Sequence, residues 1–418
     1  MTVIKRNGDK VPFDKNKIYN AVLKAYEEVY SDYQKTNASD ASDITEFVYD
    51  KINCMNMNEI TVEQIQDIVE DNLIKYNGAV AKAYIRYRYK RTMARDEYKQ
   101  LMSDIKEKIT AENVQNQNAN VDEHSFGGRI GETADLVMKR YALDYCMSDM
   151  AKNNHLNNEI YIHDISHYAV GDHNCLTVPF DNLLANGFNT RQTDVRPAQS
   201  VSTAFQLVAV IFQLQSLQQF GGVSASHLDW TMIPYVRKSF YKHYCNGLKY
   251  INEPLNPLYK EFTEKIDNTT PIDKYTDVAP KAYQYAMDMT TKEVYQAAEG
   301  LYHNLNTLQS RSGNQLPFTS INYGTCILPE GRLVTKALLD VSIKGIGKLH
   351  KTSIFPCGIF QCMKGINRKK GDPNYDLFQL ALKSTAQRLY PNYANVDWSG
   401  NKGYDKNDPK TYFSTMGK

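Results

Sequence analysis

Long apolar runs, paired cysteines and net charge are all scarce in this 418-residue sequence. The longest apolar stretch, Phe205 to Leu214, is broken by glutamines and far too short to span a bilayer. Met1 to Arg6 carries no apolar signal region, so the expected compartment is the cytoplasm. The seven cysteines, at 54, 146, 175, 245, 326, 357 and 362, are odd in number and scattered. That pattern argues against a disulfide framework. No Cys-x-x-Cys pair is present, which argues against a structural zinc site within the chain. A thiol that matters here would matter through redox or radical chemistry. A formal net charge of +2 gives no field for a wholesale nucleic-acid or membrane partner. There is no internal repeat.

What is present is the composition of a globular protein, 42% hydrophobic and 23% charged, with length enough for two or three domains. Residues 1–95 read as one unit. Val3-Ile4-Lys5-Arg6, then Asn7-Gly8, then Lys10 to Phe13 signals a hairpin, because Asn-Gly suits the positive φ of a tight turn. Ile18, Ala21, Val22, Ala25 and Val29 follow at helical spacing. A second helix begins near Thr61, where Thr61 and Gln64 form a capping box and Ile60 with Ile65 is placed as a hydrophobic staple. A third, basic and Tyr-rich, passes through Ala83 to Arg88.

Residues 96–122 are charged and Asn/Gln-rich and read as a connector. Beyond it, helical patterns (Ala134–Met150, Gln199–Phe220, Tyr275–Ser312) separate short apolar runs such as Thr177–Phe180 and Phe318–Ile321. Gly221-Gly222 is read as a helix stop. From Tyr390 the chain is rich in Asn, Asp, Gly and Pro and reads as loop. The fold class is α/β.

The pattern Val3-x-Lys5-Arg6-x-Gly8, Phe13-Asp14-x-x-Lys17-Ile18, then Tyr84 to Arg88, resembles the ATP-cone domain. Triphosphates need clustered cations, and Lys5, Arg6 and Lys17 lie on or beside a hairpin whose amides add donors. The resemblance implies ATP and dATP as allosteric effectors held by these three residues.

Tyr161 to Asp164 with Asp172 to Cys175, then Ser310 to Asn322, then Ile354 to Phe360, are together similar to class III, oxygen-sensitive ribonucleoside-triphosphate reductases. That resemblance implies an incomplete ten-stranded α/β barrel of the glycyl-radical type over residues 123–418. It also implies two cysteines that meet in space. Abstracting the 3′ hydrogen of a ribose makes the 2′ oxygen a far better leaving group, and a thiyl radical does this reversibly because S–H and activated C–H bonds are similar in strength. Cys357, in an apolar setting on an implied finger loop, is the expected radical cysteine, and Cys175, on an early strand, the expected hydrogen and proton donor. Formate is the implied reductant and a ribonucleoside triphosphate the substrate. Asn322, Ser320 and Arg311 are candidate substrate contacts. The loop with His163, His167 and His173 invites a metal reading, but the family uses its His-Asp there without one, so no metal is expected.

The family continues beyond the region matched here, with a four-cysteine zinc site and a glycyl-radical loop. Ser414 to Gly417 normally runs on into a cysteine, where this chain ends at Lys418. The expectation is a chain inactive alone, either because its gene is interrupted and a separate polypeptide carries the remainder or because the sequence is a truncation; a homodimer and a radical-SAM activase are the other implied partners. Two rivals are a pyruvate formate-lyase type of glycyl-radical enzyme, which typically has adjacent finger cysteines and lacks a cone, and a non-enzymatic nucleotide sensor.

Overall fold

The computed structural model describes residues 1–32, 34–110, 125–171, 173–219, 221–251, 269–309, 315–398 and 403–416. They fall into two units, Met1–Lys106 and Glu107–Lys418.

In the first unit β1 (Thr2–Ile4) and β2 (Lys10–Pro12) form the expected hairpin, with Val3 opposite Val11. Gly8 takes φ +88° in the turn, where a side chain would be strained. Asp14 caps α1 (Lys15–Val29) by accepting from the Asn16 amide. Next come α2 (Gln34–Cys54), β3 (Glu59–Thr61), α3 (Val62–Tyr76) and α4 (Gly78–Thr110). β3 pairs in parallel with β1, giving the order β2-β1-β3. The capping box at Thr61 and Gln64 is formed in both directions. Val3, Val22, Val48, Ile52, Ile60, Leu73 and Val80 share one core, and Ile65 packs against it.

The structure corrects two expectations in this unit. α2 was not anticipated, although Ile44, Val48 and Ile52 fall four apart and are buried. The connector expected from Asp96 is helical as far as Thr110. After Gly78 that segment holds neither Gly nor Pro, and Arg, Glu, Lys, Gln and Met propagate a helix readily. Residues 111–122 of the expected connector lie outside the described residues.

The second unit opens with α5 (Phe126–Tyr141), a π-helical turn at Ala142–Cys146, α6 (Asp149–Leu156) and α7 (Ile165–Tyr168). The single helix expected over Ala134–Met150 is broken because Ser148 caps α6, accepting from the Ala151 amide. There follow β4 (Leu176–Thr177), α8 (Phe180–Asn186), the antiparallel pair β5 (Phe188–Asn189) and β6 (Asp194–Val195), and α9 (Val201–Ser216). Then come β7 (Val223–Ala225), α10 (Leu228–Thr231), α11 (Ile233–Ile251), α12 (Pro280–Thr307) and β8 (Thr319–Tyr323). α13 (Pro329–Lys344), β9 (Cys357–Cys362), α14 (Tyr375–Arg388) and β10 (Asn392–Asn395) complete the series. β10 lies in the tail expected to be loop. It gains strand structure by pairing with β9, a long-range interaction its own composition does not signal.

The five strands are parallel in the order β10-β9-β8-β7-β4. Each new strand adds beside the last, without the reversal of a doubly wound sheet. One face is apolar: Val223, Ala225, Ile321, Tyr323 and Phe360 join Phe212 of α9, Leu301 of α12, Leu338 of α13 and Leu377 of α14 in the main core. The other face carries the polar side chains.

Candidate active site

Side chains alternate across a strand, so register alone assigns the polar face. Thr177, Ser224, Ser320 and Cys357 stand abreast on β4, β7, β8 and β9. Two residues further along, Asn322 and Ile359 are abreast, and Gln361 follows on the same face. Cys175, two residues before Thr177, belongs to this face at its β4 edge.

Cys175 is exposed. Its Sγ accepts from the Gly222 amide at 3.2 Å and donates to Asn174 Oδ1 at 3.3 Å. The loop is held by Gln219, whose Nε2 donates to Asn174 O and Gly222 O at 3.3 and 2.9 Å. A Cβ on Gly221 would lie 1.7 Å from Asn174 O, so only glycine permits this approach. Gly221-Gly222 is therefore not a helix stop, since α9 already ends at Ser216; it seats the Cys175 loop against β7.

Cys357 is not on a loop. It is buried as the first residue of β9, flanked by β8 and β10, and its thiol donates to the Tyr390 hydroxyl at 3.5 Å. Burial pushes this thiol up from its ordinary value, against a smaller opposing effect of Tyr390. Three inter-strand steps separate β9 from β4, about 14 Å. Cys175 and Cys357 therefore do not meet over one ribose, contrary to the sequence expectation, because β7 and β8 lie between them.

The segment that does cross the polar face is the tail. Asn322, fully buried, donates from Nδ2 to Thr415 O at 3.1 Å and to Ala225 O at 3.0 Å, and its Oδ1 accepts from the Thr415 amide at 3.3 Å. Gln361, also fully buried, donates from Nε2 to Phe413 O at 3.0 Å and to Ser226 O at 3.2 Å. Its Oε1 is buried without a partner among the described residues. The segment runs from the level of Gln361 to that of Asn322, toward the strand N-termini where Cys175 lies. Asn322 was expected to contact substrate; its amide is committed to this backbone. Gln361 was not singled out at all, and only the sheet register reveals it. Ser320 is buried in the row between Ser224 and Cys357, and Arg311 lies outside the described residues. Of the three loop histidines, His163 pairs through Nδ1 with its neighbour Asp164.

In the first unit Lys5, Arg6 and Lys17 are exposed, the first two leading into the hairpin turn and the third in the first turn of α1. Arg6 pairs through Nε with Glu63 and donates from Nη2 to Gln66 Oε1 at 2.7 Å. Arg88 of α4 joins the same carboxylate, 2.7 Å from Glu63, 2.7 Å from Asp67 and 2.9 Å from Glu70. Burial opposes the charge on Arg88, yet the bonds from Asp67, Glu70 and Glu63 raise its pKa. Arg6 in turn holds the Glu63 carboxyl below its ordinary range. Glu63 went unremarked in the sequence because its partners lie 57 and 25 positions away.

Known proteins place these features in a family. The profile described as anaerobic ribonucleoside-triphosphate reductase matches residues 117–417, and the ATP cone domain profile matches residues 1–93. The anaerobic ribonucleoside-triphosphate reductase of Haemophilus influenzae is 33% identical over 402 residues, 94% of this chain and 52% of that protein. Its Escherichia coli counterpart is 30% identical over 94% of this chain and 51% of that protein. A crystal structure of the Thermotoga maritima anaerobic ribonucleotide reductase, in complex with dATP and CTP, aligns at 15% identity and TM-score 0.45, covering 73% of this chain and 51% of that one. The chain thus spans about half the length of the curated relatives it matches. Among the described residues no helix is long and apolar enough to cross a membrane. With an ATP cone in front and the reductase profile over nearly all of the second unit, the chain belongs to the anaerobic ribonucleoside-triphosphate reductase family.

Proposed function

We propose that this chain supplies the effector-sensing unit and the Cys175-bearing substrate face of an enzyme that converts ribonucleoside triphosphates to deoxyribonucleoside triphosphates. The observation that carries it is the polar sheet face, with Cys175 at one edge and residues 413–416 laid across it. The overall change is ribonucleotide plus formate plus a proton giving deoxyribonucleotide, carbon dioxide and water. Cys175 gives its thiol proton to the departing 2′ hydroxyl, formate supplies the hydrogen and two electrons that replace it on the sugar, and the added proton restores the thiol; the Gly222 amide fixes its Sγ. Thr177, Ser224 and Ser320 offer hydroxyls to the sugar. Asn322 and Gln361 position the finger segment. We assign the finger to this segment, not to Cys357, and the thiyl site to the cysteine that follows Ser414 to Gly417 in the family.

We assign the effector domain to residues 1–95 and the catalytic part to residues 123–418. ATP or dATP fits the cone through Lys5, Arg6 and Lys17: Arg6 is held by a part-exposed ion pair to Glu63 and a hydrogen bond to Gln66, which a triphosphate can replace. Formate, the glycyl radical, the activase and a homodimer belong to the same reading. For zinc, no group of three or more His, Cys, Asp or Glu side chains among the described residues could hold a metal ion.

The test is alkylation of the purified chain by iodoacetamide, mapped by peptide mass. CTP should slow the reaction of exposed Cys175 several-fold and leave exposed Cys54 unchanged. Equal rates at Cys175 with and without saturating CTP would refute the substrate face.

A further inference from the structure

Of the four side chains abreast on the polar face, Thr177, Ser224 and Ser320 are hydroxyls, and only Cys357 is a thiol. A serine in its place would keep a hydrogen bond to Tyr390. What sulfur adds is a hydrogen atom that a radical can remove, because an S–H bond is weak beside the O–H of an alcohol. Cys357 is 4% exposed, and burial keeps it a thiol and not a thiolate. Its partner is fixed from behind: Ser384 Oγ donates to Tyr390 O at 2.8 Å and Thr385 Oγ1 to Pro391 O at 2.7 Å, both from the end of α14. The contact with Cys357, and then burial, pushes the Tyr390 hydroxyl up to about 12, so the phenol keeps its proton as well.

The tail segment leads toward this pair. Thr415 is tied to Asn322 of β8, which is one strand across from β9, about 5 Å, and two residues beyond the Cys357 row, about 7 Å. From Gln361 to Asn322 the segment heads for the strand N-termini, where Cys357 opens β9. We propose that Cys357 and Tyr390 form a hydrogen-atom relay that carries a stray radical off the substrate face. A thiyl radical on that face takes the hydrogen atom from Cys357 Sγ and becomes a thiol, which leaves the unpaired electron on Cys357. The Cys357 radical then takes the hydrogen atom of Tyr390 Oη: the S–H bond re-forms, the O–H bond breaks, and the unpaired electron rests on the phenol. One proton and one electron move together at each step, so the thiyl radical is the only oxidant required. The hydroxyl rotates freely and turns its hydrogen to the sulfur once the thiol hydrogen is gone. S–H and phenolic O–H bonds are similar in strength, but a phenoxyl radical is delocalised over its ring and attacks C–H bonds far more slowly. The relay thus spares the sugar and the backbone. It rests on the reading of the polar face as the site of thiyl chemistry.

The experiment replaces Tyr390 by aminotyrosine, whose radical has its own absorption and EPR signature, in the full chain and in its Cys357→Ser variant. Thiyl radicals are supplied from outside by pulse radiolysis of mercaptoethanol. The aminotyrosyl radical should form in the chain that keeps Cys357 and form several-fold more slowly in Cys357→Ser. Equal rates in the two chains would overturn the relay, since radicals would then reach position 390 directly. So would absence of the signal from the chain that keeps Cys357. Aminotyrosine in place of Tyr393 is the control for folding. The Tyr393 hydroxyl lies 2.9 Å from Thr385 Oγ1, and its rate should not respond to Cys357→Ser. A matching slowdown there would overturn the relay in favour of a loosened β9–β10 edge. Because the radicals come from outside, none of these outcomes depends on whether CTP protects Cys175, the separate test of the substrate face.

Discussion

In the cone, Arg6 meets Glu63 where their side chains keep 31% and 48% of their exposure, and Arg88 adds a second guanidinium to the same carboxylate. In the sheet unit, Asn322 and Gln361 are wholly buried and spend neutral amides on backbone groups of residues 413 and 415. Part-exposed ion pairs are worth little net and exchange partners readily. Buried amides are costly to strand, so they fix one geometry. The first arrangement suits a site whose partner must be replaced by a ligand; the second suits a site that must hold a chain segment still.

The sharpest way to break this contrast is at Gly221. Gly221→Ala drives a methyl into Asn174 O and should destabilise the sheet unit by about 3 kcal/mol or more, leaving cone unfolding unchanged. Denaturant titration followed by hydrogen exchange in each unit measures it. A loss below the error of that measurement would mean the Cys175 loop is not pinned. Next, Asn322→Leu strands the Thr415 backbone and should remove about 2 kcal/mol, with faster proteolysis of residues 403–416. Wild-type protease resistance in that tail would show that the amide does not hold it.

The smallest effect is expected in the cone. The Glu63 carboxyl, lowered by Arg6, contributes stability that is present above its unfolded pKa and is lost as pH falls through its lower folded value. Glu63→Gln should therefore cost about 1 kcal/mol or less at pH 7, and the difference from wild type should vanish toward pH 3 in melts across that range. The same variant should bind ATP more tightly, because Arg6 loses its internal competitor. A pH-independent gap between the two chains would remove the carboxylate from this account.

Local features were legible before the structure. The Asn7-Gly8 turn, the helix through Ile18 to Val29 and the Thr61–Gln64 box depend on residues a few positions apart, and each stands as expected. α2 was legible too, since Ile44, Val48 and Ile52 carry the period; the polar residues around them hid it. Cys357 shows the opposite case. Its motif, Ile354 to Phe360, belongs to the family, but whether it sits on a finger or in the wall depends on which strands flank it, and those come from residues 319–323 and 392–395.

The sequence by itself therefore determined the α/β class, the hairpin and caps of the cone, and the family to which the two units belong. Only the tertiary structure decided that Thr177, Ser224, Ser320 and Cys357 form one row, that Cys175 and Cys357 stand three strands apart, and that residues 413–416 cross the polar face. The physical reason is register: a strand's alternation fixes which residues share a side, but pairing between distant segments decides which strands stand next to one another and which side chains meet.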